Sequence, residues 1–530
     1  MTIPEDTVMP TAPTAHDRLT RRRLLALGAG AAAGGAAAWL PFDPRAALAA
    51  AAQRGGTLTI GINTDLVSLD PNDIVFANVP MFFQVYNYLV KYSTSLQARP
   101  DLAEFWDPAK DGTSVVFRLR DGVRTHSGGT FGADALIANF RRTKEKATGG
   151  GLFSRLTDWE AADRVDARTV RFRFSRPHPD YLAQIARWGM VDPAAFATVR
   201  NKGGGTGPFR VQEWVPGDHV TFTRFDGYWQ PGLPLLDRVV CRVFSDPQAL
   251  ENAFQAGTID LAHTIVNKDV ARLRQAGFRI TPAPVPNEYY VLVVNTRRPP
   301  LDNLKVRQAI QLLVDRATVV RTVLGGVGRP VAQMVTPASP GYDPALDAEY
   351  GYNPAKAKDI LASAAIGRPP RLNLLTSTST PELSQIAQIL QADLKQAGLD
   401  AGITIQEPAQ YFPPYFAGNF DLSLSFLTLA TIDPTDFTIS SAFRTDGTNP
   451  AWIQAGPPRE YVEGLQSLNA TFDMRERWTR LRGVIRYILG QAWAVPVALR
   501  LPTYGLGKGV EGFDIDPQML IQLKGAWLTR

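Results

Sequence analysis

Between residues 291 and 405 the apolar spacing alternates between the period of a strand and that of a helix, which constrains the fold more than anything else in the chain. Residues 291–294 are a short continuous apolar run, read as a strand. Val306, Ile310, Leu313 and Val314 then share one helical face, and Asp302 or Asn303 is placed to cap that helix. Asn353-Pro354 forms an N-cap with proline at the first helical position, and Ala357, Ile360 and Leu361 continue inward. Residues 371–375 read as a strand. Leu383, Ile386, Leu390 and Leu394 recur at helical spacing up to Gly398, a residue suited to a left-handed cap. Ile403 and Ile405 mark the next strand, residues 420–429 another buried run, and residues 478–489 a late helix. Strands joined through helices pair in parallel by crossover, so this part is α/β with a partly parallel sheet.

The first half has a different texture. Leu58, Ile60 and Ile62 alternate, as do Val115, Phe117 and Leu119, then Val170, Phe172 and Phe174, and Val220 and Phe222. Each set reads as a strand with one buried face. Residues 80–90 are apolar and aromatic and read as a helix on the first strand. At 530 residues and 45% hydrophobic, the chain has material for two to four domains. Mean hydropathy of -0.11 excludes a polytopic membrane protein. A net charge of only +6, with no basic stripe carrying stacking aromatics, argues against a nucleic-acid partner. The single cysteine, Cys241, cannot form an internal disulfide, and its apolar surroundings mark a buried inert thiol.

Residues 1–52 stand apart. Arg21, Arg22 and Arg23 precede an uncharged Ala/Gly-rich stretch, followed by Ala47-Leu48-Ala49. Basic n-region, weakly apolar h-region and A-x-A site make an export signal cleaved near residues 49–52, so the expected location is the periplasm. The arginine run and the glycine-rich h-region resemble a twin-arginine signal. A transmembrane anchor fits less well, because Gly28, Gly30, Gly34 and Gly35 dilute the apolar run. The stretch from Gly28 to Ala33 matches G-x-G-x-x-A but follows arginines rather than a strand, so it is no dinucleotide site.

A search for catalytic chemistry finds no candidate. His16, His126, His178, His219 and His263 are scattered beyond metal-ligand spacing, and none joins Cys241. His126, beside Gly128 and Gly129, reads as a surface residue in a polar turn. There is no G-x-S-x-G elbow, no Walker A motif and no H-E-x-x-H. The glycine run 203–205 with Gly207 lacks a following lysine and leads into Pro208-Phe209, so it reads as a turn before a strand. No catalytic residue, metal or cofactor is expected. An exported chain of this length without such motifs points to binding, with an exported hydrolase as the alternative.

Several segments, taken together and in order, carry a resemblance. They are Gly55-Gly56-Thr57-Leu58 with Ser68-Leu69-Asp70-Pro71, Tyr86-Asn87-Tyr88-Leu89-Val90, and Arg99-Pro100-Asp101-Leu102-Ala103. Residues 117–123 with His126, residues 205–209, Tyr228-Trp229 and residues 256–260 follow. Asn295, Pro300, residues 306–309, Val314-Asp315-Arg316 and finally Asp433-Pro434 complete the set. Over residues 55–500 this series resembles the family 5 extracellular solute-binding proteins of ABC importers, the oligopeptide-, dipeptide- and nickel-binding group.

The resemblance implies a two-lobed α/β fold of the type II periplasmic-binding-protein kind, with a small α+β domain inserted at 98–204. Lobe I would comprise 53–97, 205–292 and 494–530, and lobe II 293–493. It implies a monomer that closes about a hinge on a peptide or peptide-like solute and passes it to the ABC permease subunits of the inner membrane. Ligand contacts are expected from Thr428, Leu429, Ala430, Thr431, Asp433, Asp436, Tyr411 and Trp452, with Phe412 and Tyr415 nearby. In dipeptide- and oligopeptide-type relatives this strand reads roughly G-W-x-x-D before Asp-Pro, the acid anchoring the peptide ammonium. Here Leu427 replaces the tryptophan and Ala430 the acid. Either a peptide is held differently, with Asp433 or Asp436 as substitute, or the solute is an opine, an oligosaccharide or a metal chelate.

Overall fold

The computed structural model describes residues 53–73, 79–153, 155–286, 288–428, 441–445, 449–452, 456–517 and 520–529. Arg21, Arg22 and Arg23 lie outside these residues, as do Leu429, Ala430, Thr431, Asp433 and Asp436.

Three sheets organise the chain. The first has seven strands in the order Arg279–Pro282, Thr503–Leu506, Leu261–Ala262, Thr57–Ile62, Arg238–Val243, His219–Arg224 and Phe209–Val215. Leu58, Ile60 and Ile62 point into its core, as their alternation requires. Cys241 lies opposite Ile60 in a parallel pair and is fully buried. The second sheet has six strands in the order Gly328–Arg329, Ala494–Arg500, Glu288–Val294, Leu422–Thr428, Leu372–Ser377 and Ala401–Gln406. Leu372–Ser377 runs parallel to both of its neighbours, and helix Pro381–Gln396 makes the crossover to Ala401–Gln406. A four-stranded antiparallel sheet, with helix Ala133–Lys144 and a core of Phe117, Trp159, Phe172 and Trp188, accounts for most of residues 98–204.

Glu288–Val294 is buried at every position because both faces of its sheet are covered. Tyr290, Leu292 and Val294 pack in the core that holds Val306, Ala357, Leu383 and Ile386. Tyr289, Val291 and Val293 pack with Tyr461, Leu481 and Ile485 on the other face. The caps are where the sequence puts them. Asn303 Oδ1 accepts from Lys305 N at 3.0 Å, Asn353 Oδ1 from Lys356 N at 2.9 Å, and Gly398 ends its helix with φ +87°.

Two expectations need correction. The helix expected over 80–90 stops at Val85, and a strand, Val90–Tyr92, follows. Side chains and the returning chain take over its backbone: Gly207 N–H donates to the Val85 carbonyl at 2.9 Å, and the Asp101 carboxylate accepts from Tyr88 N–H at 3.0 Å. His126 is half-buried and tied into the fold rather than free on the surface. Gly205 N–H donates to its Nδ1 at 3.2 Å, and its Nε2 lies 3.0 Å from the Gly207 carbonyl, so the ring is the neutral Nε2–H tautomer. The ring also meets Phe225 edge-on, with centroids 4.9 Å apart. Gly205 is required here, because a Cβ would sit 2.6 Å from the Val85 carbonyl oxygen. The glycine run is thus a close backbone approach as well as a turn, with Gly203 at φ +62° and Gly204 at φ +133°.

Candidate functional site

The chain leaves the seven-stranded sheet at residues 283–286 and enters the six-stranded one at Glu288, and it passes back at 501–502. Residues 288–292 and 494–500, both expected with the first lobe, belong to strands of the six-stranded sheet, and the second passage comes after residue 500. The two passages touch, with Ala283 N–H donating to the Pro502 carbonyl at 2.8 Å. The carboxyl ends of the parallel strands Leu372–Ser377, Ala401–Gln406 and Leu422–Thr428 open at this junction. That end of an α/β sheet is where ligands bind, because the loops and helix starts there offer unpaired groups.

Charge concentrates at the same end. Glu288 begins its strand, Arg500 ends the neighbouring one, and the two lie opposite each other with Arg500 Nη1 donating to Glu288 Oε2 at 2.7 Å. Their side chains are 3% and 14% exposed, so this is an ion pair removed from water. Arg500 also lies over the Phe426 ring, 5.7 Å from its centroid. Burial pushes the Glu288 carboxyl above its ordinary value, and Arg500 partly opposes that. Burial works against the Arg500 charge, yet Glu288, Tyr290 and Glu382 outweigh it and hold the guanidinium above its usual pKa. Glu382, in the first turn of helix Pro381–Gln396, is itself buried.

Of the residues expected from the sequence, Thr428 is here: it is exposed and directly opposite Glu288. Tyr411 and Trp452 are elsewhere, in the core on the opposite face of the sheet. Tyr411 Oη lies 2.9 Å from Ser423 Oγ, and its ring stacks on Tyr415 at 5.3 Å. Trp452 packs edge-on against Trp493 at 4.9 Å and Tyr461 at 6.0 Å. Phe412 is 49% exposed. Sequence reasoning missed Glu288, Arg500 and Glu382. A charge closing the apolar run before residue 500 and an acid after Ser/Thr-rich residues 376–380 were the available signals. Among the described residues no group of His, Cys, Asp and Glu is arranged to hold a metal ion.

The model for bacterial extracellular solute-binding proteins, family 5 Middle, matches residues 97–449. The chain belongs to that family. This family 5 protein is 26% identical over 474 residues to the dipeptide-binding protein of Escherichia coli (strain K12), covering 82% of the present chain and 87% of the relative. It shares its fold with the ABC transporter substrate-binding protein CtaP of Listeria monocytogenes, with a TM-score of 0.81, 21% identity, and coverage of 90% and 100% of the two chains. The same holds for the agropinic acid complex of AgaA from A. tumefaciens R10, with a TM-score of 0.74, 22% identity, and coverage of 90% and 99%. The α/β periplasmic-binding-protein architecture is therefore that of the family.

Proposed function

We propose that this family 5 protein is an extracytoplasmic receptor that closes on a peptide or peptide-like solute and delivers it to the permease of an ABC importer. The observation that carries the reading is the junction, where strand ends and two touching chain passages meet beside a buried charged set. Short paired connections of this kind act as a hinge, and a solute bridging both sides favours the closed state through contacts the open state lacks. The E. coli dipeptide-binding relative supports a peptide as the solute. Sheet membership supports lobe I as 53–97, 205–286 and the tail beyond residue 500, lobe II as 288–500, and an insert at 98–204. Residues 1–52 are an export signal of twin-arginine type, and the working protein is a periplasmic monomer. Thr428 with Leu429, Ala430, Thr431, Asp433 and Asp436 lines the solute. A second reading, a non-peptide solute such as an opine, is favoured by the uncharged stretch from Thr428 to Ile432.

Thermal unfolding against di- to pentapeptides, opines and oligosaccharides tests the reading. At 100 times Kd, a ligand adds about 2.7 kcal/mol to the folded state. With an unfolding entropy of about 2.1 cal/mol/K per residue over residues 53–530, that raises the melting temperature by about 3 °C. A rise with one solute class identifies the cargo. Product release with turnover, and no stabilisation, refutes the receptor reading in favour of a hydrolase.

A further inference from the structure

The charged set at the junction is unbalanced. Glu288 and Glu382 are two buried carboxylates, and Arg500 is the guanidinium that acts on both. Glu382 makes no hydrogen bond or ion pair among the described residues, and it acts through its charge on Glu288, Tyr290 and Arg500. The chain continuing from Thr428 carries Asp433 and Asp436 and no Lys or Arg through residue 440. A net negative charge withdrawn from water is costly unless a cation meets it.

A second, independent observation points the same way. Glu288, Tyr290, Phe426 and Thr428 share one face of the sheet, the face packed by the helix that bears Glu382. Tyr290 is fully buried on that face, and its hydroxyl makes no hydrogen bond of good geometry among the described residues. The Thr380 hydroxyl lies against it, within reach of a bond that is not well formed, and meets no other partner among the described residues. Two buried hydroxyls with no well-formed bond among the described residues, beside two carboxylates that share one guanidinium, are what a ligand with several N–H donors would complete, and an ammonium carries three.

We propose that Glu382 and Glu288, with the hydroxyls of Tyr290 and Thr380, form the subsite for a protonated amine of the solute, Arg500 holding Glu288 in place. This rests on the receptor reading above and adds to it the charge of the solute and the residues that recognise it. The recognition moves from the strand position of Ala430, where no charge is available, to the start of helix Pro381–Gln396 and the start of the neighbouring strand. Glu382 is the residue to perturb, since changing Glu288 would strand Arg500.

The test is calorimetry on the full chain with three probes: tri-alanine, N-acetyl-tri-alanine and N-acetyl-Ala-Lys-Ala. At least one cationic probe should bind roughly 10- to 100-fold more tightly than the acetylated neutral peptide, the range for a hydrogen bond to a charged group. Tri-alanine as the tight binder assigns the amine to the peptide terminus, and the lysine probe assigns it to a side chain. In Glu382→Gln this discrimination should collapse, while Glu463→Gln on an exposed helix leaves it intact. A loss of discrimination with the melting temperature held is a result that a merely structural glutamate does not produce. Equal affinity for neutral and cationic probes, or discrimination that survives Glu382→Gln, overturns the subsite and leaves the peptide receptor standing. No binding of any probe overturns both.

Discussion

His126 ties a turn within the small domain to the chain that leaves it, and its protonation should weaken the protein in mild acid. The neutral ring accepts from Gly205 N–H at Nδ1. A proton on Nδ1 would set two N–H donors against each other in a site with little water. Burial, the largest cause, lowers its pKa from 6.5 to about 4, with the Gly207 carbonyl opposing and Arg210 reinforcing. A histidine whose pKa is depressed on folding binds fewer protons folded than unfolded. Its contribution is fully present above pH 6.5 and is lost as the pH falls from there toward 4. For a shift of this size, linkage gives a loss of about 2 kcal/mol between pH 7 and pH 5. His263, lowered to about 4 by burial, adds a loss of the same sign. Asp393, whose carboxyl burial pushes up to about 6, acts in the opposite sense. The wild-type curve alone therefore cannot isolate His126, but its difference from His126→Gln can. Urea unfolding followed by tryptophan fluorescence at pH 7 and pH 5 should show wild type losing about 2 kcal/mol more than the variant across that interval. Parallel losses would refute the argument, showing that water reaches the ring and that the clamp does not discriminate against the imidazolium.

Two further outcomes follow from buried groups. Arg142 from helix Ala133–Lys144 makes a two-pronged pair with Asp70, and the side chains are 8% and 4% exposed. Arg142→Met should cost about 3–5 kcal/mol in urea unfolding by stranding the carboxylate, and adding Asp70→Asn should recover much of it; a single-variant loss under about 1 kcal/mol contradicts burial of the pair. Cys241 is fully buried, and burial alone pushes its thiol well above the ordinary value, so an aromatic disulfide reagent should leave it unmodified until denaturant is added. Rapid labelling of the native protein would place the strand Arg238–Val243 at an opened edge.

Local signals carried far where their cause was local. The caps at Asn303 and Asn353, the glycine at 398 and the parallel strands around 372–406 follow from spacing and backbone chemistry within a few residues. The failures came where a distant segment decided the outcome. The helix over 80–90 was cut short because Gly207 and Asp101 capture the backbone beyond Val85. His126 looked exposed because its neighbours are polar, yet the residues that bury it, Gly205, Gly207 and Phe225, lie some 80 to 100 positions away. Tyr411 and Trp452 could be read as lining a cleft or as core, and only their face of the sheet distinguishes the two. They share the side of Ser423 and Trp493, whereas Glu288 and Phe426 share the other.

The same limit explains why the charged junction was invisible and why it matters. Glu288 and Arg500 are 212 residues apart, and nothing in either neighbourhood announces a partner. Only strand order and register bring the first residue of one strand against the last residue of the other. Both sit where the chain passes between the six-stranded sheet and the seven-stranded one, so the pair lies at the proposed hinge. A charge held there feels both states of the hinge, whereas one at the centre of either sheet would feel neither. A cation bound by Glu382 and Glu288 would compensate the negative excess most fully when the junction is closed to water, because the attraction grows as the local dielectric falls. Recognition of charge and closure of the hinge would then be one event, driven by the same desolvation.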